Sequence, residues 1–105
     1  MIVQPIVYRG RRVAVATQTS YLLSTELEAR PRDDPERLFV QFMCLHAADV
    51  LSGAASGPYS DERAREYARA CLVPPGVVDG DVELAARELR VSAAEIAVRR
   101  RPAAA

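Results

Sequence analysis

The sequence predicts an α+β fold, mainly α: an N-terminal β-hairpin packed on a buried central helix, a second antiparallel helix and a C-terminal helix pair. Three observations carry this expectation. Strand-forming residues crowd residues 2–17 around an Arg9-Gly10-Arg11 turn. A stretch from Pro35 to Ser52 holds no helix breaker after its first residue and is apolar around most of its axis. Helix-capping signals then recur at Ser60, Asp81 and Ser92.

Residues 2–8 and 12–17 are the expected strands. Ile2, Val3, Ile6, Val7, Tyr8, Val13 and Val15 favour the pleated conformation. Pro5 lacks a backbone donor, which places the first strand at a sheet edge. In the second strand Val13, Val15 and Thr17 share one face, and Arg12, Ala14 and Ala16 the other. Residues 18–34 admit two readings: a loop, or a short helix capped by Ser24 and ended at Arg30-Pro31.

Asp34-Pro35-Glu36 is a strong start signal, an acidic cap before proline at the first helical position. The helix it opens reaches Ser52-Gly53, with Phe39, Phe42, Met43, His46 and Val50 on one face and Leu38, Leu45 and Leu51 elsewhere around it. Residues 53–60 read as a loop. Ser60 caps the next helix, whose first turn carries Asp61 and Glu62 and whose apolar face is Ala64, Tyr67, Ala68 and Cys71. Pro74-Pro75-Gly76 ends it. Asp81 caps a third helix, and Ser92-x-x-Glu95 forms a capping box for a fourth. The expectation is one domain over residues 1–101, then a disordered tail over residues 102–105.

The 105 residues suit one domain, and an apolar half of the composition supports a core. Fourteen basic residues, all Arg, balance fourteen acidic ones, so net charge selects no partner. The absence of Lys fits GC-rich coding. Cys44 and Cys71 lie in apolar helical patterns and are too few for a disulfide scaffold; buried thiols are expected. No apolar run approaches a membrane span, and the start lacks signal-peptide character, so the expected compartment is cytoplasmic and no membrane partner is expected.

Three consecutive segments resemble the core of the ImmA/IrrE family of small zinc-peptidase-like proteins. Gln41-Phe42-Met43-Cys44-Leu45-His46 matches the run into the first ligand of that family's H-E-x-x-H helix. Residues 61–74, from Asp61 through Tyr67-Ala68 to Pro74, keep the frame of its second helix, E-x-x-A-N-x-F-A-x-x-L-L-M-P. Residues 84–99, Leu84 to Arg99, follow the segment L-A-x-R-F-G-V-S-x-x-A-V-x-x-R. The resemblance spans about residues 35–101. It implies a site in which two His at i and i+4 and a carboxylate from the next helix hold zinc, while a Glu beside the first His takes a proton from the bound water.

Here His46 stands at the first ligand position, Ala47 replaces the base, Val50 replaces the second His, and Asp61 stands where the third ligand belongs. Ala cannot accept a proton and Val cannot ligate, and His46 is the sole histidine. No catalytic residues, metal or cofactor are therefore expected. Two readings of the remnant polar site, His46, Asp49 and Asp61, stay open. One is a reduced metal site built from one imidazole and two carboxylates. The other, which is favoured, is a hydrogen-bonded polar pair of His46 and Asp49, with Asp61 serving the helix dipole.

The first functional expectation is a non-catalytic binding protein using a metallopeptidase-like frame. The resemblance implies a regulatory protein partner, because members are encoded in phage and mobile elements beside helix-turn-helix repressors. The second is a helix-turn-helix DNA-binding regulator using residues 82–101, with Arg99, Arg100 and Arg101 at phosphates. It is disfavoured because the recognition helix would begin Ala93-Ala94-Glu95, which offers little to base edges. The third is a divergent metal-dependent hydrolase. A homo-oligomer is also open, since a short chain with so apolar a helix has surface to cover.

Overall fold

The computed structural model describes residues 2–72, and all that follows concerns these. The expected C-terminal helix pair, Arg99–Arg101 and the expected tail lie outside the described residues.

The chain begins with β1 (Gln4–Tyr8) and β2 (Arg11–Ala16), joined by a two-residue turn. Arg9 and Gly10 both take positive φ, 53° and 75°, the backbone twist that suits a tight hairpin. The Arg9 guanidinium then lies over the Tyr8 ring, 5.3 Å from its centroid.

The expected hairpin is extended by a third strand, β3 (Tyr21–Leu23), giving an antiparallel sheet in the order β1-β2-β3. Three residues are too few to show alternation in a sequence. Pairing sets this strand: Ala14, Val15 and Ala16 face Leu23, Leu22 and Tyr21. A bulge between Ile6 and Val7 in the register breaks the expected alternation of β2, so Val13 is buried together with Ala14 and Ala16. Pro5 lies in an edge strand, as its missing donor requires.

Of the two readings for residues 18–34, the short helix is correct. It is α1 (Thr25–Glu28), with the Ser24 hydroxyl accepting from the Leu27 N–H at 3.4 Å. Then α2 (Pro35–Ser52) starts where Asp34 accepts from the Arg37 N–H at 2.9 Å, and stops at Gly53 in the left-handed conformation, φ 84°. After a loop, α3 (Asp61–Cys71) is capped by Ser60, which accepts from the Arg63 N–H.

The central position of α2 follows from its composition. It packs against all three strands, α1 and α3, and buries Val40, Met43, Cys44 and Ala47 on more than one side. Ala14 and Ala16 of β2 and Ala64 and Ala68 of α3 are buried in the same core. Small side chains there allow the sheet and α3 to approach the helix closely.

Candidate functional site

The α2–α3 seam holds the residues singled out by the sequence. His46 is fully buried, with its ring 5.1 Å from that of Tyr67 on α3 and 6.4 Å from that of Tyr59 in the preceding loop. Helical spacing from Met43 carries His46 to this inner face, and the Ala64, Tyr67, Ala68, Cys71 stripe of α3 closes over it. Ala47, next to His46, is fully buried. Val50 packs against the loop: a Cβ added to Gly57 would lie 2.9 Å from Val50 Cγ1. Glycine at 57 is what lets the loop settle there.

Asp61 is engaged elsewhere. Its Oδ1 accepts from the Tyr59 hydroxyl at 2.8 Å and, over a longer 3.4 Å, from the Val7 N–H on β1. Burial pushes the Tyr59 phenol far above its ordinary value, and the negative Asp61 carboxylate, which accepts the phenol's hydrogen bond, raises it further. The carboxylate thus joins α3 to the sheet. Asp49 is nearly buried, and its backbone carbonyl accepts from the Ala55 N–H and the Ser52 hydroxyl, both at 3.1 Å, closing the end of α2.

Among the described residues no three His, Cys, Asp or Glu side chains gather in a way that could hold a metal ion. The reduced site of His46, Asp49 and Asp61 is therefore not formed, and the zinc implied by the family resemblance does not fit the residues present. Cys44 and Cys71 are buried thiols without a disulfide. Burial pushes the Cys44 thiol up to about 12, so it remains protonated and unreactive at neutral pH.

Two tyrosines were not among the sequence-derived site residues. Tyr67 was legible only as core. Tyr59 falls in a stretch that reads as loop, and its place two residues before Asp61 was the one available signal.

The seam is packed, and the concave surface lies elsewhere. An open groove of about 790 Å3 runs along β3, lined by Tyr21, Leu23, Thr25, Glu28, Arg37 and Gln41 among others. Arg37 shapes its floor by donating to the Arg30 carbonyl at 2.6 Å and the Glu28 carbonyl at 3.4 Å.

The chain matches no family model. Nor does it match a curated protein or a solved structure.

Proposed function

We propose that this chain is a non-catalytic binding protein, a metallopeptidase-like frame that acts by holding a regulatory protein partner. One observation carries the reading. The position that would supply the catalytic base is a fully buried alanine, beside a histidine that is itself fully buried. A side chain sealed in this way meets no substrate, and a methyl group takes no proton. The carboxylate from α3 is bonded to Tyr59 and the β1 backbone, so the polar residues of the seam support the core.

The resemblance in residues 35–101 supports the choice of partner class, a repressor or a similar regulator. The DNA-binding alternative draws on Arg99, Arg100 and Arg101, outside the described residues, and no observation here favours it.

The test is direct. Purified chain is assayed for peptide hydrolysis with added zinc, then mixed with the products of neighbouring genes and followed by light scattering. The expected result is no hydrolysis and a stoichiometric complex. Zinc-dependent cleavage that disappears in His46→Ala overturns the reading, as does the absence of any complex.

A further inference from the structure

The outer edge of β3 carries backbone groups that no other strand pairs among the described residues. The register pairs Val15 with Leu22. The flanking bonds, Thr17 N–H to Ser20 O and Ser24 N–H to Val13 O, each 2.8 Å, set the phase of the ladder. Hydrogen-bonded pairs alternate in an antiparallel ladder, so Ser20, Leu22 and Ser24 turn their amides toward β2. Tyr21 and Leu23 therefore turn their N–H and C=O groups outward, into the groove, where they meet no partner among the described residues. Beside them, the Gln41 carboxamide also lines the groove and makes no hydrogen bond among the described residues.

We infer that this edge and groove form a docking site for an uncharged, extended peptide segment of the protein partner, which adds a fourth strand beside β3. The inference rests on the binding reading above and names its surface. Backbone donors and acceptors at strand spacing are matched by another extended backbone. The groove offers one acid, Glu28, and one base, Arg37, so its charges cancel and favour neither an anion such as nucleic acid nor a polycation. A second copy of this chain is a poorer occupant. Pairing β3 with β3 would use only two hydrogen-bonding residues on each side, a small contact beside the roughly 1,200 Å2 of a stable interface.

The probe is an acetylated, amidated octapeptide of alternating Val and Thr, titrated into the 15N-labelled full chain. The Tyr21 and Leu23 amides should shift and gain protection from exchange, while those of Leu22 and Ser24 are protected with or without peptide. N-methylation of one alternate set of peptide amides should weaken binding about tenfold, near the worth of one hydrogen bond, and of the other set much less. Gln41→Ala, which leaves the strand intact, should weaken it less than the damaging methylation. Unchanged Tyr21 and Leu23 amides at saturating peptide overturn the inference, and so does their protection by protein concentration alone, which would mean a second copy fills the edge. If a gene-neighbour partner binds and leaves these two amides unchanged, the docking site is wrong while the binding function stands.

Discussion

The two edges of the small sheet differ in how their backbone is finished. At β1 the outward position 5 is a proline with no N–H to satisfy, and its carbonyl accepts from the Gln4 side chain at 2.9 Å. The next outward N–H, that of Val7, is met by Asp61 at the start of α3. At β3, Tyr21 and Leu23 face a groove with their donors and acceptors unmet among the described residues. One edge is closed by residue choice and by a helix; the other is left unpaired among the described residues. Exposed edges recruit other strands, so closing one and leaving one confines that tendency to a single side.

The comparison is broken most severely at the closed edge. Asp61→Ala removes the acceptor of both the half-buried Tyr59 hydroxyl and the Val7 N–H. The expected cost is about 3 kcal/mol by urea denaturation, at roughly 1–3 kcal/mol for each group left unpaired. Concentration-dependent association should follow as the β1 edge opens. Asp61→Asn, which keeps an acceptor oxygen, should recover most of the loss; equal losses in the two variants would show that charge rather than hydrogen bonding closes the edge.

At the other edge, two prolines sharpen the contrast between inward and outward amides. Leu22→Pro deletes the N–H that faces Val15 and should cost about 1–3 kcal/mol, although Leu22 itself is 68% exposed and loses little packing. Tyr21→Pro deletes an outward N–H and should cost less. The reverse order, measured by the same denaturation, would contradict the ladder phase on which the open edge depends.

The smallest effect is one of pH. Asp34 caps α2, a wall of the groove, and the Arg37 N–H that it accepts holds its carboxyl below the ordinary value of 3.8. A depressed folded value stabilises the fold above the unfolded one, and that contribution is lost as pH falls from the ordinary value through the folded value. Acid titration below about pH 4 should thus weaken the fold through Asp34, and Asp34→Asn should flatten that part of the profile. An unchanged profile would show that the cap does not carry the acid sensitivity.

Helix boundaries were legible because their causes are local. Asp34, Pro35 and Gly53 bracket α2, and Ser60 starts α3, through bonds that span three residues or fewer. The inward turn of His46 was legible from helical spacing. The reduced metal site could be written from residue types, yet its Asp61 oxygen is engaged by Tyr59 and Val7. Val7 is 54 residues away in the chain, and no periodicity reports such a bond.

By itself, then, the chain of residues determined where helices begin and end and which faces turn inward. Each of these depends on interactions within a few positions of one another. Tertiary structure alone decided that Tyr21–Leu23 becomes a strand, that Asp61 fastens α3 to β1 rather than facing a metal, and that one sheet edge is closed while the other borders a groove. Those outcomes arise from pairings between distant segments, whose partners are chosen only when the sheet and helices pack together.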